Sequence, residues 1–248
     1  MKMSNNTILI TGGATGIGLA LAEVFLREGN TVLVCGRREQ RLAEMKARSP
    51  QVHTQVCDVA RPEEQQALFE WATGKFPGLN VLVNNAGIQH HIDFTQGISG
   101  LPAEDDEIMT NLAAPIRLSA LFIPHLSGQA EAAIVNVSSG LGFVPLAFMP
   151  VYCATKAALH SFSMSLRHQL RKTPIKVFEL IPPTVDTELD HGGRGDGYRG
   201  IPASEVAEAT LAGMAKDEFE ITVGQSQGLR TASLAEVEQI FQRMNGGW

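Results

Sequence analysis

Short apolar runs alternate with helical patterns along this chain, and that alternation constrains its fold more than any single motif. Strand character at Thr7–Thr11, Thr31–Cys35, Val52–Val56 and Val81–Val83 is interleaved with helical periodicity at Ile17–Glu28, Glu39–Ala47 and Glu63–Lys75. The second half continues the scheme. Strands are expected at Ala133–Val137, Lys176–Leu180 and Glu220–Val223, and helices over 104–123, Val151–Arg171, Ala203–Ala215 and Ala235–Arg243. Helical crossovers between consecutive strands cover both faces of a sheet, which is why these strands read as continuous apolar runs. The expectation is an α/β fold with a doubly wound, mostly parallel seven-stranded sheet and helices on both faces.

No linker, internal repeat or low-complexity stretch divides the 248 residues, so residues 1–248 are read as one domain. The formal net charge of -6 offers no broad cationic field for nucleic acid or an anionic bilayer, so an anionic ligand must be met locally. Cys35, Cys57 and Cys153 are odd in number and have no close pair spacing. Neither a disulfide framework nor a cysteine zinc site is suggested, and a reduced cytoplasmic setting fits best. No apolar stretch reaches transmembrane length, so no stable membrane insertion is expected. His90 and His91 are adjacent without a convincing further ligand set, and no metal centre is expected.

The first strand runs into Thr11-Gly12-Gly13-Ala14-Thr15-Gly16-Ile17-Gly18, a glycine-rich turn that opens a helix. Glycines permit close backbone approach, and the unpaired amides of a helix N-terminus suit a pyrophosphate. Arg37 and Arg38 follow the second strand, where the adenosine ribose of a dinucleotide would approach. An acidic residue there would bond a 2'-hydroxyl, whereas arginine presents a rigid donor fork to a 2'-phosphate, so the local charge favours NADP(H) over NAD(H). Asp58 either accepts from the adenine amino group or caps the helix near Arg61-Pro62. Asn84-Asn85-Ala86-Gly87 supports the cofactor or forms an Asx-rich turn.

Tyr152 and Lys156 lie four residues apart, so one helix sets both side chains on the same face. Together with Thr11–Gly18, Asp58, Asn84–Gly87, Asn111, Ser139 and Pro182–Thr187, they resemble the motifs of the classical short-chain dehydrogenase/reductase family over roughly residues 5 to 225. The resemblance implies a Rossmann-like sheet and a set of site roles. Gly12, Thr15, Gly16, Ile17 and Gly18 would form the cofactor turn, with Asp58, Val59, Asn84, Ala86 and Gly87 beside the adenosine side of the cleft. Tyr152 would act as general acid in carbonyl reduction and as base in the reverse direction. Lys156 would bind the nicotinamide ribose and favour the tyrosinate, Ser139 would anchor the carbonyl oxygen, and Asn111 would hold a water-linked proton path. Elementary chemistry agrees with this set: hydride addition to a carbonyl leaves negative charge on oxygen, where a hydroxyl donor and an acid must converge.

Pro182, Val185 and Thr187 resemble the family's nicotinamide segment, but Pro183 stands at its common glycine position and removes an amide. Residues 186–200, rich in glycine around His191 and Tyr198, form either a substrate loop or an exposed linker. Phe143, Leu146, Phe148 and Met149 suit an apolar substrate wall or ordinary core. The implied partner is a small-molecule carbonyl or alcohol substrate, with self-association as a homodimer or homotetramer. Two other functions share this scaffold: an inactive nucleotide-responsive binding protein, and a redox-neutral epimerase or dehydratase.

Overall fold

A computed structural model of the chain describes residues 1–102, 107–190 and 200–246. Seven strands, β1 (Thr7–Thr11), β2 (Thr31–Gly36), β3 (His53–Val56), β4 (Leu79–Asn84), β5 (Ala132–Val137), β6 (Ile175–Ile181) and β7 (Glu220–Thr222), form one sheet in the order β3-β2-β1-β4-β5-β6-β7. Every pairing between them is parallel. The order reverses direction between β1 and β4, which opens a crevice at the carboxyl ends of these two strands.

Strand parity divides the core into two apolar layers. Ile8, Ile10, Val32, Val34, Val81, Val83, Val135 and Phe178 pack against α1 (Gly16–Arg27), α2 (Glu39–Arg48) and α6 (Ala203–Ala215). Leu9, Leu33, Leu82, Ile134 and Val177 face the other way, onto α3 (Pro62–Lys75), α4 (Ala114–Leu126) and α5 (Pro150–Leu170). Two short helices close the chain, α7 (Ser226–Thr231) and α8 (Leu234–Asn245).

The helix expected over 104–123 differs most from its sequence pattern. Residues 104–106 lie outside the described residues, and a π-turn at Met109–Ala113 precedes α4, which continues to Leu126. Such turns insert an extra residue and re-aim neighbouring side chains. Here the turn contains the fully buried Asn111. β4 is longer than the apolar run suggested because polar residues at its two ends are paired: Asn80 Nδ2 donates to Asn6 Oδ1 at 2.9 Å, and Asn84 Nδ2 donates to Asn136 Oδ1 at 2.9 Å. Most of the expected substrate loop, residues 191–199, lies outside the described residues.

Candidate functional site

A cleft of about 1210 Å³ runs along the carboxyl edge of the sheet. At its floor, the ends of β1 and β4 are stitched together. Thr11 Oγ1 accepts the amides of Asn85 and Ala86, each at 3.0 Å, while Asn85 Nδ2 donates to Thr11 O at 2.8 Å and Gly12 O at 3.2 Å. This lattice leaves no room for a Cβ at Gly12 or Gly18. A Cβ at Gly18 would stand 2.5 Å from both Asn85 Nδ2 and Gly12 O, and Gly12, with φ +63°, would meet Ala86 Cα at 2.9 Å. Gly16 also sits at positive φ, +55°, and opens α1, whose first turn carries no acidic residue. Its first amides have no intrahelical acceptor and suit an anion.

Gly12, Thr15, Gly16 and Ile17 line the cleft, as do Arg37, Arg38, Asp58 and Val59 on one side and Ala86 and Gly87 beneath. Gly18 lies under the turn instead of facing the cleft. Asn84 departs from its expected place beside the adenosine: it is 2% exposed, bonds to Ser119 and Asn136, and turns behind the wall, while Asn85 faces the cleft. Strand alternation explains the exchange, because neighbouring residues at a strand end point to opposite sides. Asp58 Oδ1 accepts the Ala60 amide at 3.0 Å, an Asx-type turn that leads into α3.

The opposite end of the cleft is lined by Ser139, Tyr152 and Lys156. Ser139 sits in extended backbone at the end of β5, and its Oγ accepts the Leu141 amide at 3.1 Å. That bond uses a lone pair and leaves the hydroxyl proton to donate. The following 3-10 turn packs closely against α5, since a Cβ on Gly142 would meet the Lys156 backbone at 3.0 Å. Pro150 occupies the first turn of α5, where its missing amide costs no helical bond. Two residues later Tyr152 enters the cleft, and one turn further Lys156 follows on the same face, its Nζ 5.5 Å from the Tyr152 ring centre. Lys156 Nζ donates to Val137 O at 2.8 Å. Burial pushes its pKa down to about 8, against the opposing pull of the Glu107 and Glu179 carboxylates.

The chain belongs to the short-chain dehydrogenase family, whose model matches residues 6–196. It is 55% identical over 248 residues to the uncharacterized oxidoreductase DltE of Bacillus subtilis (strain 168), an alignment that covers 99% of this chain and 98% of that one. A short-chain dehydrogenase from Sphingobium yanoikuyae in complex with NADPH superposes with a TM-score of 0.80 at 28% identity, covering 96% of this chain and 95% of the other. A short-chain dehydrogenase/reductase from Burkholderia phymatum in complex with NAD shares the fold, with a TM-score of 0.82, 23% identity and coverage of 99% and 97%.

In this short-chain dehydrogenase, Asn111 does not line the cleft. Its side chain clamps one residue of the β4 loop, accepting the Ile88 amide at 2.9 Å and donating to Ile88 O at 2.8 Å, with Thr155 Oγ1 at 3.3 Å. Its neighbour Thr110 does reach the cleft, and the Thr110 hydroxyl is buried without a hydrogen-bond partner. Pro182, Pro183, Val185 and Thr187 line the cleft, so Pro183 does not divert this segment from the wall.

The far wall is built from the two C-terminal helices, which no local motif ties to the site. Leu229 comes from α7, and Ile240, Arg243 and Met244 come from α8. A capping box between Ser233 and Glu236 starts α8, and Asn245 pins its end, donating to Pro145 O at 3.1 Å and accepting the Ala147 amide. The amphipathic spacing of α8 was visible, but the surface that receives it lies about a hundred residues away in sequence. Leu146, Phe148 and Met149 complete an apolar chamber with this helix. His91 packs edge-on against Phe148 at 4.8 Å, and His90 faces the fully buried Glu107 at 3.7 Å.

A second buried network stands behind the site. Ser138 Oγ donates to Glu179 Oε1, and His160 Nδ1 lies 2.7 Å from Glu179 Oε2. His160, Glu179 and Glu220 approach within 4.8 Å, a separation that would suit a metal ion. Glu220 is already held by Arg230 at 2.8 Å, and the cluster is satisfied by protein groups.

Proposed function

We propose that this chain is an NADP(H)-dependent oxidoreductase that interconverts a carbonyl and an alcohol. One observation carries the reading: Ser139, Tyr152 and Lys156 line the same cleft as the glycine turn. The turn fits a nucleotide, since a Cβ at its glycines would crowd neighbouring atoms and the start of its helix opens on the cleft. Gly12, Thr15, Gly16 and Ile17 would hold the pyrophosphate, Arg37 and Arg38 the 2'-phosphate, Asp58 and Val59 the adenine, and Ala86, Gly87, Val185 and Thr187 the nicotinamide half. A nicotinamide bound there supplies or accepts the hydride at the carbonyl carbon.

The protein's own groups handle the oxygen. Ser139 donates a hydrogen bond that fixes the carbonyl, and Tyr152 Oη gives up its proton as the oxygen becomes an alcohol. Lys156, charged below pH of about 8, lowers the cost of the tyrosinate left behind. Asn111 holds the Ile88 segment beside Lys156 and keeps the proton route in register. The apolar chamber of Leu146, Phe148, Met149, Ile240 and Met244 favours substrates with an apolar substituent next to the carbonyl.

Separate fluorescence titrations with NADPH and NADH test the cofactor reading, and NADPH consumption across a panel of ketones and aldehydes tests the reaction. Binding of neither nucleotide would remove both. Self-association through α4 and α5 belongs to the same reading, supported by Ile116 and Met164, which are 38% and 48% exposed on those helices. Sedimentation of the purified protein tests it, with a monomer at all concentrations as the contrary result.

A further inference from the structure

The adenosine end of the cleft holds an arrangement that the family motifs leave unexplained. Arg38 and Arg41, at the start of α2, converge on one carboxylate from the opposite wall. Arg38 Nη1 donates to Glu188 Oε2 at 2.7 Å, and Arg41 Nη2 donates to Glu188 Oε1. The other terminal nitrogen of Arg38 donates to Thr15 Oγ1 at 3.2 Å and so ties this fork to the glycine turn. All four residues line the cleft, together with Arg37, which has no ion-pair partner among the described residues.

We propose that Glu188 is a built-in competitor for the 2'-phosphate position: its carboxylate occupies the Arg38–Arg41 fork and narrows the preference of this chain for NADP(H) over NAD(H). The inference rests on the nucleotide reading above. Guanidinium N–H groups bind carboxylate and phosphate oxygens alike, and here each arginine gives one charge-assisted bond to one Glu188 oxygen, so one anion stands where the other would dock. A phosphate carries more charge and more acceptor oxygens than a carboxylate, and these ion pairs are exposed, with side-chain accessibilities of 58%, 40% and 42% for Arg38, Arg41 and Glu188. Glu188 therefore weakens the phosphate site without closing it.

The same carboxylate has a second consequence. NAD sites of this fold use an acidic residue after the second strand to accept a hydrogen bond from the ribose 2'-hydroxyl. This chain has arginines at that place, and Glu188 supplies the acceptor from across the cleft. A cofactor without the phosphate then meets a carboxylate, and one with it meets the arginines.

Fluorescence titrations at low ionic strength with NADPH and with NADH, on the wild type, Glu188→Gln and Arg41→Gln, test the proposal. Glu188→Gln is expected to move the affinity ratio toward NADPH by roughly three- to tenfold, with most of the change screened away at high salt. Arg41→Gln is expected to move it toward NADH. A ratio that Glu188→Gln leaves unchanged, or moves toward NADH, overturns the proposal while the nucleotide reading stands. Absence of any nucleotide signal from the wild type removes that reading, and the proposal with it. Circular dichroism confirms that these surface variants fold.

Discussion

Lys156 Nζ lies 2.8 Å from the carbonyl oxygen of Val137, the last residue of β5. This bond ties the face of α5 that carries Tyr152 and Lys156 to the strand end that leads into Ser139. It also holds an ammonium group at 4% exposure, a placement that opposes stability.

Replacing that ammonium should therefore stabilise the fold while destroying its function. Lys156 binds its proton less tightly when folded, with a pKa of about 8 against the ordinary 10.5. Unfolding takes up protons between these values, so the stability of the wild type rises with pH across that window. Lys156→Met is expected to gain up to about 3 kcal/mol below pH of about 8, at about 1.4 kcal/mol per unit of pKa difference, with the gain fading as the pH approaches 10.5. Urea unfolding at several pH values measures this, and a variant less stable than wild type at neutral pH contradicts it.

Glu179 is fully buried and raises the Lys156 pKa against desolvation. Glu179→Gln keeps hydrogen-bonding atoms but removes the charge, so Lys156 should lose its proton at a lower pH than in the wild type. The weakening of NADPH binding on the alkaline side is expected to begin correspondingly earlier. Titrations of NADPH affinity against pH show whether that limb moves; a limb that stays in place means Glu179 acts only as structure.

Asn84 and Asn85 are adjacent but do different work. Asn84→Ala removes bonds to Asn136 and Ser119 inside the core and is expected to cost about 1–3 kcal/mol of stability. Asn85→Ala frees the glycine turn from Thr11 O and Gly12 O and is expected to act mainly on nucleotide affinity. Measuring both properties on both variants separates the roles, and equal effects on affinity would contradict the assignment.

Gly18→Ala places a methyl group 2.5 Å from a backbone oxygen and from Asn85 Nδ2. The turn must shift to admit it, at a cost of about 1–3 kcal/mol. Thermal unfolding and NADPH titration should both register the change, whereas a variant with wild-type values would show that the turn is loosely packed.

How much of this was legible in the sequence follows the range of each interaction. Tyr152 and Lys156 are four residues apart on one helix, and the strand-turn-helix of Thr11–Gly18 is equally local, so their placement could be read directly. Asn84 and Asn85 could not be told apart, because their directions depend on the register of β4 between β1 and β5. The fork that holds Glu188 joins residues roughly 150 apart, and α8 docks through Asn245 onto the loop before α5. No local pattern encodes either contact. The π-turn around Asn111 escaped for a different reason: its residues keep helical periodicity, and only tertiary packing decides where the extra residue enters.

The most direct measurement is the loss of NADPH absorbance when the preformed complex meets a panel of ketones and aldehydes, recorded for wild type and Tyr152→Phe. Both proteins should bind NADPH, and the wild type alone should oxidise it on at least one carbonyl. Equal turnover by Tyr152→Phe, or no turnover by a wild type that binds NADPH, would contradict the assignment of Tyr152 as the acid of a carbonyl reductase.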